Sequence, residues 1–155
     1  RVLPGVLVQT GDPRGDLTGG PGYSIEAEFS DRPHVSGVLS MARLVDPIEQ
    51  QNAMPRSEFA NSAGSQFFIC LDDEKTRELD RRYTAFGRIV SGIEAARAIG
   101  NLPIADPETH RPATPVKVQA IEILPVDAAN NPYARLFQAA EESTPALPST
   151  QPSLE

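Results

Sequence analysis

Few side chains in this sequence are spaced for covalent or metal chemistry. Ser65 follows Ala63-Gly64, but no Gly-x-Ser-x-Gly turn surrounds it, and only His34 and His110 could act as its base. Both histidines fall in proline-flanked loops, so a serine-hydrolase triad is not expected. Cys70 stands among Phe67, Phe68, Ile69 and Leu71, the setting of a small buried hydrophobe rather than a nucleophile. One Cys with two His cannot supply a four-ligand zinc site, and a lone Cys excludes a disulfide framework. Asp72-Asp73-Glu74 lacks calcium-loop spacing and reads as a solvated face. Gly11, Gly15, Gly19, Gly20 and Gly22 have neither a Gly-Lys-Ser/Thr ending nor a helix pattern behind them. They read as a tightly turning loop, not a phosphate cradle, and Arg14-Gly15-Asp16 inside it is too short a match to carry weight. What is left is a set of strands carrying Arg1, Gln9, Gln66 and Phe68 among apolar residues. Neither a metal nor a cofactor is expected.

These residues need strands to position them. Val6 to Gln9 is a short apolar run closed by Thr10-Gly11-Asp12-Pro13. Further runs lie at Val38 to Ala42, Gln66 to Leu71 and Ala85 to Val90. A fifth spans Val116 to Leu124, where the apolar phase switches after residue 120 and predicts a β-bulge near Gln119 to Ile121. One helix is signalled by the capping-box pattern Ser91-Gly92-Ile93-Glu94, followed by Ile93, Ala96 and Ile99 at helical spacing and Gly100 as the C′ residue. Short strands, Gly/Pro turns and one helix imply a mostly β fold, a barrel or a sandwich.

The 155 residues include 21 acidic and 14 basic side chains, a net charge of −7, which argues against a nucleic-acid partner. No run approaches the ~18 apolar residues of a membrane span. The 15 prolines divide between turns in the body and the Pro/Ser/Thr-rich stretch 143–155, where disorder is expected. Before that stretch, Pro132 to Glu142 could form a short helix with Asn131 as N-cap. The expected division is a domain over 1–125 and an acidic, mostly disordered tail over 126–155.

Arg1-Val-Leu-Pro-Gly-Val-Leu-Val-Gln-Thr-Gly-Asp-Pro closely resembles a block of the cyclophilin-type peptidyl-prolyl cis–trans isomerases. Further matching blocks follow in the family's order. They are Thr18 to Tyr23, Gly37 to Ala42, Asn61-Ser-Ala-Gly-Ser-Gln-Phe-Phe-Ile69, Leu79-Asp80 and Tyr83-Thr-Ala-Phe-Gly87, whose Tyr resembles the bacterial branch. The resemblance covers residues 1 to about 125. It implies an antiparallel β-barrel with helical caps, acting on X–Pro bonds in peptides and unfolded proteins to assist folding.

By the same resemblance Arg1 is the catalytic residue, its guanidinium hydrogen-bonding near the prolyl nitrogen, and Gln9 holds the substrate carbonyl and orients Arg1. The main chain at Arg43 pairs with the peptide backbone, and Gln66 lines that groove. Phe68, Leu79 and Leu7, with Tyr83 at the rim, form the apolar pocket for the proline ring, and Val6, Leu17 and Ala42 complete the substrate-binding set.

Four departures from the family pattern bear on these expectations. The chain begins at Arg1, so the family's preceding two strands and helix are expected to be missing, leaving the barrel incomplete and Arg1 frayed. Val6 and Leu7 replace the usual Phe and Met and make the pocket shallower. Leu17 stands where Gly is common, and Glu78 where Trp or Phe is common, which argues against strong cyclosporin binding. Residues 44–60 replace a connection of a few residues and are expected to extend or gate the site, so that deleting them changes selectivity among X–Pro peptides. The rival reading is a non-catalytic proline-peptide binding module on the same scaffold. The expected protein is a monomer without cofactor, nucleic acid or membrane, with the cytoplasm as its default compartment.

Overall fold

The computed structural model describes residues 1–127 and Asn131. Two units are distinguished, Arg1–Lys117 and the chain from Val118 onward. In the first, five strands form one antiparallel sheet: β1 (Val2–Leu3), β2 (Leu7–Thr10), β3 (Val38–Met41), β4 (Phe67–Cys70) and β5 (Ala85–Arg88). Their order across the sheet is β1-β2-β4-β3-β5. A separate hairpin pairs β6 (Ile104–Asp106) with β7 (Arg111–Pro112). Two helices, α1 (Ser57–Ala60) and α2 (Ile93–Gly100), and two 3₁₀ turns, Pro47–Gln51 and Arg77–Leu79, complete the unit.

Period-two alternation sorts the apolar residues onto two faces. Leu7, Phe68 and Cys70 point to one face, where they pack with Val38 and with Leu3, Leu79 and Tyr83. Val8, Ile69 and Leu71 point to the other, joining Val2 and Ala96 of α2. Burying each large apolar side chain contributes about 1.5–3 kcal/mol, so α2 is held by this face more than by its own propensity.

The expected helix is present, but its ends differ. Gly92, at φ +80°, is the N-cap, not Ser91, because a left-handed residue cannot open a helix from within. Gly100 is the last helical residue, not C′; a Cβ there would meet Leu71 Cδ1 at 2.4 Å. The strand expected over Val116–Leu124 and its bulge are not formed. No described residue gives that segment a ladder, and an apolar alternation without a partner backbone is not a strand. Within the second unit's residues 118–127, Ile121 and Ile123 are exposed at 73% and 93%. Register shifts occur elsewhere, between β3 and β5 at Leu39/Ser40 and in the β6–β7 hairpin between Ile104 and Asp106. The helix expected over 132–142 and the tail 143–155 fall outside the described residues. Among the described residues, no helix is long and apolar enough to cross a membrane.

Candidate functional site

Strand register builds the site as a row across one face of the sheet. Arg1 and Gln9 exchange backbone hydrogen bonds, with Gln9 N donating to the Arg1 carbonyl at 2.9 Å and Arg1 N to the Gln9 carbonyl at 3.2 Å. Arg1 is therefore paired rather than frayed. Gln9 lies opposite Phe68, Phe68 opposite Ser40, and Ser40 opposite Ala85. Residues directly opposite in antiparallel strands share a face, so Arg1, Gln9 and Phe68 are neighbours by register alone. The Arg1 guanidinium has no hydrogen-bond or ion-pair partner among the described residues.

Polar contacts extend the row at one end. Gln9 Nε2 donates to Gln66 Oε1 at 2.8 Å, and Gln66 Nε2 donates to the carbonyls of Gly19 (2.7 Å) and Leu17 (3.2 Å). Both glutamines are thus oriented before any ligand arrives. A cavity of about 710 Å³ opens beside them, bordered by Arg1, Gln9, Leu17, Ala42, Arg43 and Gln66. Its far wall is the loop from Thr18 to Ser24, with Leu44, Val45 and Ser62 completing it.

That loop is shaped by Asp12. Its carboxylate is disfavoured by burial, but the N–H groups of Arg14 and Leu17 outweigh this and hold it below the usual carboxylate range. The chain enters the loop at Gly11, where φ is +84° and a Cβ would sit 2.1 Å from the Ser65 carbonyl oxygen. Leu17 also adopts a positive φ, +72°, a conformation costly for a branched side chain. A glycine at this position would adopt that φ without the cost.

The remaining expected residues do not border the cavity. Val6, Leu7, Phe68, Leu79 and Tyr83 belong to the adjoining apolar cluster, and Ala42 touches both groups. Tyr83 meets Phe68 edge to face at 5.7 Å, and burial pushes its hydroxyl pKa up. Arg43, expected to act through its main chain, has its guanidinium 4.2 Å from the centre of the Tyr83 ring.

Sequence reasoning missed one arrangement. His34, set aside as a loop residue, is buried, with Nδ1 3.0 Å from Asp80 Oδ1 and Nε2 3.0 Å from Ser40 Oγ. This is the order of a hydrolase triad, yet Ser40 is wholly buried and its hydroxyl donates to the Thr84 carbonyl at 2.9 Å. No substrate carbonyl can reach that oxygen, so the group is architecture behind Phe68, whose ring stacks on His34 at 6.4 Å. Cys70 is equally enclosed, and burial pushes its thiol up to about 11. The acidic run is used locally: Asp72 Oδ1 accepts from Glu74 N and Lys75 N, and Asp73 accepts from Ser36 N.

The family model described as cyclophilin type peptidyl-prolyl cis-trans isomerase/CLD matches residues 1–123. A Synechococcus elongatus protein named peptidyl-prolyl cis-trans isomerase is 43% identical over 88 residues, covering 57% of this chain and 50% of that protein. The human peptidyl-prolyl cis-trans isomerase-like 3 is 36% identical over 140 residues, covering 87% of this chain and 73% of that protein. A Cryptosporidium parvum cyclophilin type isomerase, crystallised in the presence of the dipeptide Ala-Pro, is similar with a TM-score of 0.57 at 28% identity. That match covers 73% of this chain and 65% of the other. The chain spans half the length of the Synechococcus relative.

Proposed function

Because this chain belongs to the cyclophilin-type peptidyl-prolyl cis–trans isomerase family, we propose that it catalyses rotation about X–Pro bonds in peptides and unfolded proteins. The observation that carries this is that Arg1, its guanidinium unengaged among the described residues, borders one cavity with the oriented Gln9–Gln66 pair and with Ala42, which packs on the apolar cluster of Leu7 and Phe68. The relative crystallised with Ala-Pro supports a proline-containing peptide as the ligand. The family match ends at residue 123, which supports 1–125 as the isomerase domain and 126–155 as a separate acidic tail.

Rotation about a peptide bond faces a barrier of ~18–20 kcal/mol, and X–Pro bonds isomerise uncatalysed in ~10–100 s. The barrier comes from amide resonance, so a group that favours a pyramidal, lone-pair-bearing prolyl nitrogen lowers it. Arg1 supplies that group as a hydrogen-bond donor aimed near the nitrogen as the bond twists. Gln9 holds the carbonyl before the twist and keeps Arg1 in line. Gln66 and the main chain of Arg43 hold the flanking peptide backbone, while Phe68, Leu7, Leu79 and Val6 seat the ring, with Tyr83 at the rim. Leu17 and Ala42 border the space for residues on either side of the bond. A 10⁴-fold acceleration needs about 5.5 kcal/mol. Two or three charge-assisted hydrogen bonds at ~1.5–3 kcal/mol each reach that scale in a groove with little water. No bond is made or broken, and the chain acts as a monomer.

A protease-coupled assay on an Ala-Pro peptide tests the reading, with wild type and Arg1→Ala compared. Acceleration by wild type that falls sharply in Arg1→Ala is the expected result. Peptide binding without turnover in wild type would replace the enzyme by a binding module.

A further inference from the structure

We propose that the segment Asp46–Ala53 is a fixed brace for the rim of the proline pocket, with Arg43 and Glu49 as positioning residues that set the orientation of Tyr83. This rests on the reading of Tyr83 as that rim. The segment is tied down at both ends. Asp46 opens the 3₁₀ turn as its N-cap, and Glu49 reaches back to accept from Asp46 N at 2.9 Å. Asp46 also takes a two-pronged contact from Arg56, Nε to Oδ2 at 2.8 Å and Nη2 to Oδ1 at 2.9 Å. A segment so anchored does not swing as a gate.

Its contact with the pocket runs through two arginines. Arg43 donates from Nη1 and Nη2 to the two Glu49 carboxylate oxygens, each at 2.8 Å. Its Nε and Nη2 donate to the Arg82 carbonyl at 3.1 and 3.0 Å, and Nη1 donates to the Leu44 carbonyl at 2.8 Å. All five N–H donors are engaged, and the side chain is 2% exposed. Arg43 therefore has no hydrogen left for a substrate; what it presents is a flat cation under the Tyr83 ring at 4.2 Å. Arg82, beside Tyr83 in the chain, reaches the brace from the other side, donating to the Ala53 carbonyl (2.7 Å) and Asn52 Oδ1 (2.7 Å). Tyr83 is thus clamped between Phe68 on the pocket side and Arg43 on the brace side. Glu49 holds both Nη groups of the guanidinium that lies under the Tyr83 ring, so its hydrogen-bonded route to the pocket runs through Arg43.

A double-mutant cycle with the full chain tests this, using Glu49→Ala, Tyr83→Ala and the pair, with an Ala-Pro peptide. Glu49→Ala should raise KM about fivefold in wild type with kcat within about twofold, and by less than about 1.5-fold in the Tyr83→Ala background. Equal factors in both backgrounds overturn the proposal. If Glu49→Ala does not fold, the near-isosteric Glu49→Gln takes its place. It is expected to give a smaller rise, about twofold, that again vanishes without Tyr83, and an unchanged KM overturns the proposal. Should wild type show no turnover, the isomerase reading fails by itself. The cycle is then read on the peptide Kd, where the same non-additivity is expected and its absence is fatal to the brace.

Discussion

Two arginines that border the cavity, Arg1 and Arg43, differ in whether their donors are already in use and in how far they are enclosed. Arg1 is fixed only through its backbone, by the exchange with Gln9, and its guanidinium is unengaged among the described residues. Arg43 is buried and saturated, holding Glu49, Leu44 and Arg82 at once. An unsatisfied donor costs little at an exposed edge and is available to a substrate. A saturated one, enclosed with its carboxylate, gives up that availability and fixes the shape of the site. Residue type alone does not distinguish these two arginines; the count of free hydrogens does.

That contrast can be broken directly. Arg1→Ala should reduce isomerisation by about 10²-fold, the scale of one lost oriented donor. Its thermal unfolding should stay within about 0.5 kcal/mol of wild type, because the side chain is exposed. Arg43→Met should do the reverse in stability, costing about 3 kcal/mol in a denaturant titration, since it leaves the mostly enclosed Glu49 carboxylate without its cation. If Arg1→Ala destabilises and Arg43→Met does not, the assignment of free and saturated donors is wrong.

Acid titration sharpens the same comparison. The bidentate Arg43 contact, against an opposing burial, holds Glu49 below the usual carboxylate range, and the Arg56 hydrogen bonds do the same for Asp46. A carboxylate whose folded pKa is depressed contributes stability above its unfolded value, and that contribution is lost as pH falls toward the folded one. Urea midpoints should therefore be level from neutral pH down to about 4.5, the ordinary Glu value, and fall progressively below it. Asp46→Asn should show a shallower fall, and a slope identical to wild type would remove Asp46 from the account.

The smallest effect belongs to the groove wall. Leu17→Gly should stabilise the protein by about 1 kcal/mol, the left-handed cost of a leucine less the extra unfolded-state freedom of glycine. A loss of stability in equilibrium unfolding would show that the Leu17 side chain holds the loop by contacts that outweigh its φ of +72°.

The strands that carry the site were legible because Phe67–Cys70 and Leu7–Thr10 are apolar runs bounded by turn residues. The fifth strand was misread for a physical reason: alternation at 116–124 states which residues could share a face, not whether a ladder partner exists. The 3₁₀ turn over Pro47–Gln51 carries a readable signal, since Asp46-Pro47-x-Glu49 is an N-cap, a first-turn Pro and an N3 carboxylate in the order of a capping box. The His34–Asp80–Ser40 group could not be read locally, because its hydrogen bonds span 46 and 6 residues and exist only after the sheet has formed. Phe68 and Leu79 show the opposite limit. On composition they are ordinary core, and only the family blocks around them single them out. In the structure both pack in one apolar cluster, which shares Ala42 with the cavity lining.

The central claim is that Arg1 acts on the twisting bond rather than on peptide capture. Exchange NMR of an Ala-Pro peptide at matched occupancy separates the two in one experiment. The predicted result is a Kd for Arg1→Ala within about threefold of wild type, with cis–trans exchange of the bound peptide slowed about 10²-fold. A variant that loses binding while the peptide still bound exchanges at the wild-type rate would contradict it.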